Sequence, residues 1–379
     1  MKIVVAPTTF KGSIGVMDSC IGIIHGIRDV YRGASVVQFP LSDGGDGFLE
    51  CLLFSCGGEF VNLEVTGPTG KMISSLCGIL NSGTGVVEMA KASGLSLIGE
   101  EERNPLVTTS YGTGEFIKTL LEKAVKRIIV GVGDSATIDM GVGCMQALGV
   151  RFLDNTGKEV GYGGKELRKI KSIDRTKVYR GLRDVELVVA ADVKNPLLGS
   201  EGAVSVYGKQ KGLSNKDVAF MENALKNVAD VIKGEFGKDV STMACGGAAG
   251  GIAAGFFGIL DAEIRSGVDE LMDITGFAEK CKDADLLITG EGKVDEQTKY
   301  GKVASKVLEF GKKNGIFVLV LSGKITPEGR ELFEEGFSMG FGINPKELTE
   351  SQAMEITGEL LWKGTARALE ELKKMGMGQ

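Results

Sequence analysis

Residues 1–47 read MKIVVAPTTFKGSIGVMDSCIGIIHGIRDVYRGASVVQFPLSDGGDG, and their periodicity decides the fold class. KIVVAP (2–7) is a short β-branched run that stops at proline. Over about 13–31, Val16, Cys20, Ile23, Ile24, Ile27 and Val30 recur at helical spacing and predict an amphipathic helix. SVVQFP (35–40) returns to a strand pattern, and a further helix is expected from Asp46 to Cys56. Strand, helix, strand, helix is the pattern of a parallel sheet with crossover connections.

Further along, the texture changes. From Glu59 to about Leu97 the alternating runs FVNLEV, MISSLCGIL and GVVEMA, joined by TGPTG and NSGTG, predict antiparallel hairpins of a second domain. Strand-like runs resume at RIIVGVG (127–133), VELVVAADV (185–193), DLLITGEG (285–292) and FVLVLSG (317–323), each ending in glycine or close to an acidic residue. A helix from about Ser351 to Met375 closes the chain. The organisation this implies is a discontinuous α/β domain, residues 1–58 plus 281–379, interrupted by an inserted α/β domain at 59–280. In such sheets ligands bind beyond the carboxyl ends of the strands, where Lys11, Asp43, Asp192, Glu291 and Gly323 are expected.

Composition narrows the function. Hydrophobic residues at 43% and charged residues at 25% describe an ordinary globular chain, but 57 glycines in 379 residues are about twice the usual share. Glycine in excess serves sharp turns and close backbone approach to ligands. The net charge of −6, with no basic stripe, argues against nucleic acid. Seven widely spaced cysteines without a CxxC pair give neither a disulfide framework nor a zinc site and point to a reducing cytoplasm. The first apolar run ends at Pro7, too short for a signal peptide. Val240–Leu260 has no charge, yet its glycines and late bulky residues fit a loop entering a buried helix better than a membrane span. The single histidine, His25, falls off the apolar stripe of its helix, so histidine-dependent hydrolysis is not expected.

Three kinds of motif carry chemistry. GVGDSA (131–136) matches G-x-G-x-x-A after a strand, with Asp154 about 20 residues on, and by itself suggests a dinucleotide. Asp134, however, puts negative charge where a pyrophosphate would approach. The second kind is the set of glycine and acid turns SDGGDG (42–47), GGAAGG (246–251) and GEGKVD (290–295). Backbone N–H groups of such turns can cradle phosphate, and the carboxylates beside them can hold Mg2+. No GxxxxGK[ST] motif occurs. The third kind is cationic: Lys11 in FKGS, Lys211 in KQKG and Lys302 in YGKV, suited to phosphoryl and carboxylate groups.

The blocks VAPTTFKGS, PLSDGGDG, VTGPTG, VEMAKASGL, RNPLVTTSYGTGE, VGVGDSATIDMG, ADVKNPLLGSEGA, QKG, CGGAAGG and TGEGKVDEQTKYGKV, in this order, resemble the bacterial type I glycerate kinases. The resemblance implies a circularly permuted flavodoxin-like parallel-sheet domain, an inserted second α/β domain resembling restriction endonucleases, and phosphorylation of D-glycerate by ATP with Mg2+. Chemistry constrains the roles within those blocks. Asp192 or Asp43 is the base or a metal ligand, with Lys11 beside the reacting groups. Gly133, Ser135, Gly246, Gly247, Gly250, Gly251, Lys211 and Lys302 are expected around the nucleotide, and Asp43, Glu291 and Asp295 around Mg2+. The chain departs from the family pattern at Thr8, Asp134, Ile138, Met140, Lys209 and Lys293. Thr8, Asp134 and Ile138 are expected at the ligand edge, where they bear on substrate choice. Two other readings are a kinase-like protein that acts on or binds another small hydroxy acid, and a dinucleotide-dependent oxidoreductase. No nucleic-acid or membrane partner is expected, and the oligomeric state is not legible.

Overall fold

The strands, in chain order, are β1 (Lys2–Val5), β2 (Ser35–Gln38), β3 (Gly58–Thr66), β4 (Met72–Leu80), β5 (Thr84–Glu88), β6 (Arg127–Gly131), β7 (Arg151–Leu153), β8 (Ser172–Asp174), β9 (Glu186–Ala190), β10 (Glu263–Arg265), β11 (Leu286–Val294), β12 (Phe317–Ile325) and β13 (Ser338–Gly342). They come from a computed structural model that describes residues 1–333, 336–345 and 347–376. Two compact units emerge: Met1–Asp43, Glu50–Ser55 and Val268–Gln379 form the first, and Gly44–Leu49 with Cys56–Gly267 form the second.

Unit one holds a five-stranded sheet in the order β13-β12-β11-β1-β2, parallel throughout. Its central strands are buried on both faces, which is why KIVV, LLIT and FVLVL read as nearly unbroken apolar runs. Helix Val16–Val30 turns Cys20, Ile23 and Ile27 inward, and helix Thr357–Lys374 contributes Leu361, Ala368 and Leu369 to the same core. His25 remains outside it, with its ring edge-on to Trp362. Counted along the chain within this unit, the strand order is 2-1-3-4-5. This is the flavodoxin-like order without permutation, with its switch point between β1 and β11. The permuted order expected from the sequence is therefore not what the strands adopt.

Unit two is built on a six-stranded mixed sheet, β10-β9-β6-β5-β4-β3. The predicted hairpins are present, β3 with β4 and β4 with β5 antiparallel, while β5, β6, β9 and β10 run parallel. β7 and β8 make a separate antiparallel pair. The uncharged stretch 240–260 ends in helix Ile252–Leu260, whose Ile252, Phe256 and Ile259 are fully buried in the core. Among the described residues no helix is long and apolar enough to cross a membrane. None of the seven cysteines is in a disulfide.

The domain limits differ from expectation at both joins. The return to unit one comes at Val268 rather than residue 281. Phe277 explains this, since its ring packs edge-on against Phe39 and Phe310 of unit one, at 5.0 and 4.9 Å between centroids. Gly44–Leu49, expected in the first domain, packs within unit two.

Candidate functional site

The carboxyl edge of unit one gathers several of the predicted residues. β11 extends past its pairing with β1 and carries Glu291, which is only 8% exposed. Burial pushes its carboxyl up to about 7, opposed by the nearby Lys302 and a Thr298 hydrogen bond; Asp43 and Asp295 push it further up. These effects tie Glu291 to Lys302, Asp43 and Asp295. Glu291 Oε1 is buried without a hydrogen-bond partner. Asp295 is partly occupied, because it accepts from the Gln297 amide at 3.0 Å and pairs with Lys293 at 2.9 Å. Lys11 is exposed in the tight turn after β1, and the Thr8 amide donates to the Gly290 carbonyl at 2.9 Å, so Thr8 does lie at this edge.

No three His, Cys, Asp or Glu side chains come together as a ready metal-binding group among the described residues. Asp43, Glu291 and Asp295 are thus not a preformed all-protein cage. Such a cage is not what Mg2+ requires, since it is usually held by one or two carboxylates with water and phosphate completing its shell. The orphaned Glu291 oxygen is an acceptor suited to that ion.

The carboxyl edge of unit two is set by the turns that follow β6 and β9. Asp192 lies just past β9, with Oδ1 accepting from the Ser266 hydroxyl at 2.7 Å. After β6 the chain enters GVGDSAT. Here Ser135 turns inward, and its hydroxyl accepts from Lys211 Nζ at 2.7 Å; the same ammonium donates to the Thr137 carbonyl at 2.9 Å. Lys211 is 3% exposed. Burial lowers its pKa to about 7, against the attraction of Asp139 and Asp134.

The glycine turns of this unit are closely packed. The amides of Gly133, Gly246, Gly247 and Gly251 already donate to the carbonyls of Gly44, Met243, Asn195 and Ala248. A Cβ on Gly250, at φ +70°, would stand 2.1 Å from the Thr137 carbonyl oxygen. These glycines let three loops meet backbone to backbone, in place of the open row of phosphate donors expected from the sequence.

Two further expectations change. Ile138 is fully buried in the core of unit two, not at the ligand edge. Asp154 lies in the turn just past β7, a strand of the separate β7–β8 pair, and its carboxylate accepts from the Thr156 and Lys158 amides, which leaves the dinucleotide pattern without its ribose partner.

The sequence reading missed two acceptors, Asp139 and Glu88, and named Asp134 without its partner. Asp139 is buried and accepts from the Ser110 amide and hydroxyl and from the Gly141 and Gly143 amides, at 2.7–3.3 Å. Burial pushes its carboxyl up, and those bonds oppose the shift. Its bonds to the Gly141 and Gly143 amides tie it to the start of helix Val142–Ala147, whose N-cap residue is Gly141. Glu88, wholly buried, accepts from the Leu49 amide at 3.1 Å, and Asp134 accepts from the Asp46 amide at 3.2 Å. No local pattern announces either long-range contact.

Comparison with known proteins gives a consistent result. A match to the glycerate kinase family extends over residues 3–373. Glycerate kinase of Halalkalibacterium halodurans is 39% identical over 95% of this chain and 95% of its own length. Glycerate 2-kinase of Escherichia coli (strain K12) is 38% identical over 90% of each. A crystal structure provisionally named glycerate kinase 2, from Salmonella typhimurium LT2, matches with a TM-score of 0.82 and 35% identity, covering 99% of both chains.

Proposed function

Given that the chain belongs to the glycerate kinase family, we propose that it transfers the γ-phosphoryl group of ATP to a hydroxyl of D-glycerate, with Mg2+ as the companion ion. Its near full-length relationship to glycerate kinases carries this reading. The chemistry of phosphoryl transfer is mostly positioning and charge compensation, and the carboxyl edge of each unit, taken by itself, carries groups suited to it. Asp192, oriented by Ser266, is the base that accepts the proton of the attacking hydroxyl. Lys11 and Lys302 balance phosphate and carboxylate charge. Asp43, Glu291 and Asp295 would supply oxygen ligands to Mg2+, which when bound would neutralise charge on phosphate oxygens. Lys211 and Ser135 hold the GVGDSAT turn from beneath, and the glycines at 133 and 246–251 give the nucleotide a closely packed backbone wall. The type I class and a cytoplasmic setting complete the proposal, the latter resting on seven widely spaced cysteines with no CxxC pair in the sequence.

The test is a coupled ADP-release assay run beside an NADH binding titration. ADP release that requires both ATP and D-glycerate, with no NADH binding, is the expected result. No glycerate-dependent ADP, or saturable NADH binding, would overturn the reading.

A further inference from the structure

Asp134 occupies the left-handed region, φ +53°, where most side chains are disfavoured. Its backbone carbonyl accepts from the Leu95 amide at 2.9 Å, and its carboxylate Oδ2 accepts from the Asp46 amide at 3.2 Å. The segment that receives this second bond, Gly44–Leu49, is held at two other points. The Gly44 carbonyl takes the Gly133 N–H at 3.0 Å, and the Leu49 amide donates to the buried Glu88. Gly133 has no room for a side chain, as a Cβ would lie 2.4 Å from Gly45 Cα. Between these two fixed ends, the carboxylate of Asp134 holds the middle of the turn. Asp43 immediately precedes the held segment in the chain.

We propose that Asp134 is a positioning residue for the reaction: by holding the Asp46 amide it fixes the turn 44–47 and thereby the placement of the Asp43 carboxylate. The proposal rests on the role given to Asp43 above. An aspartate at φ +53° is more strained than a glycine, so its presence is accounted for by what the carboxylate holds rather than by backbone preference. Substitution can therefore separate structure from positioning. Asp134→Gly removes the carboxylate and relieves the backbone; Asp134→Asn tolerates the left-handed region and keeps an acceptor oxygen.

The experiment measures kcat and KM for ATP and D-glycerate, melting temperature, and hydrogen exchange in the peptide spanning residues 41–49, for the parent, D134G and D134N. D134G is expected to melt no lower than the parent, to lose about tenfold in kcat with both KM values within about twofold, and to exchange faster over 41–49. D134N is expected to recover kcat to within about threefold of the parent. In an Asp43→Asn background, D134G is expected to add less than about twofold. The proposal is overturned by unchanged kcat in D134G, by a tenfold rise in either KM, by D134N as impaired as D134G, or by effects of D134G and D43N that multiply independently. If D134G does not fold, the exchange and kcat of D134N decide the matter, with faster exchange and kcat tenfold down counting against it. A parent without glycerate-dependent ADP release would remove the reaction while exchange over 41–49 still reported the tie. Full turnover by D43N would remove Asp43 from the reaction and overturn the link to it.

Discussion

Lys211 places an ammonium where almost none of it meets solvent, and the cost of that burial is written in its titration. The folded pKa is about 7 against an ordinary 10.5. Between those values the unfolded chain binds a proton that the folded chain has released, so stability from this group rises as pH rises through that window. Lys211→Met, which has no such titration, should therefore compare best with the parent at pH 6 and progressively worse toward pH 9. The gap in unfolding free energy should widen by up to about 1.4 kcal/mol per pH unit, as read by denaturant titrations at several pH values. A gap independent of pH would show that the lysine titrates normally. Asp192 makes a different demand. Asp192→Asn keeps the size and removes the charge, so kcat should fall by about 10² to 10⁴ with the melting temperature little changed; undiminished turnover would move the base to Asp43.

Loops that follow strands carry the chemistry, and their two faces were not equally legible. The strand ends were plain, because a β-branched run stopping at glycine beside an acid locates the carboxyl edge of a sheet, and Asp192 and Glu291 do lie at such edges. Which side of a turn faces inward was not plain. Ile138 replaces an amide found in the family pattern and was expected to face ligand, yet it packs in the core. Restoring the amide by Ile138→Asn should bury a polar group among hydrocarbons and cost about 2–4 kcal/mol, measured by denaturant unfolding. A parent-like midpoint would show that the side chain can turn outward. The glycine turns were misjudged for a related reason: sequence shows where a backbone can approach something, not whether that something is a phosphate or another loop. Asp139 and Glu88 were missed, and the Asp46 partner of Asp134 with them, because these contacts join segments far apart along the chain, apart from the Gly141 and Gly143 amides that Asp139 also holds.

The two-unit division was legible as an interruption of one sheet, since a parallel pattern that begins at β1 and resumes at β11 leaves the intervening strands to another unit. Its limits were not, because Phe277 belongs to unit one through aromatic contacts that no periodicity reveals. The whole protein should respond to its nucleotide. ATP bound to the native chain should add about 2.7 kcal/mol to its unfolding free energy at a hundredfold excess over Kd and so raise the melting temperature, and Mg2+ should enlarge the shift. Differential scanning fluorimetry with ATP, ATP and Mg2+, and NADH checks this. A larger shift with NADH than with ATP would contradict the kinase reading.

The pairing of β1 with β11 joins Ile3 to Leu286, and this imposes an order on synthesis. A ribosome adding about 5–20 residues per second needs about 15 to 60 seconds to pass from one strand to the other. During that interval Lys2–Val5 and Ser35–Gln38, the innermost and outermost strands on one side of the first sheet, have no third strand to complete it, while the strands of the second sheet are made one after another, the last at Glu263–Arg265. The nascent chain thus holds two short apolar strands in waiting, open to misassociation until its final quarter begins to be translated.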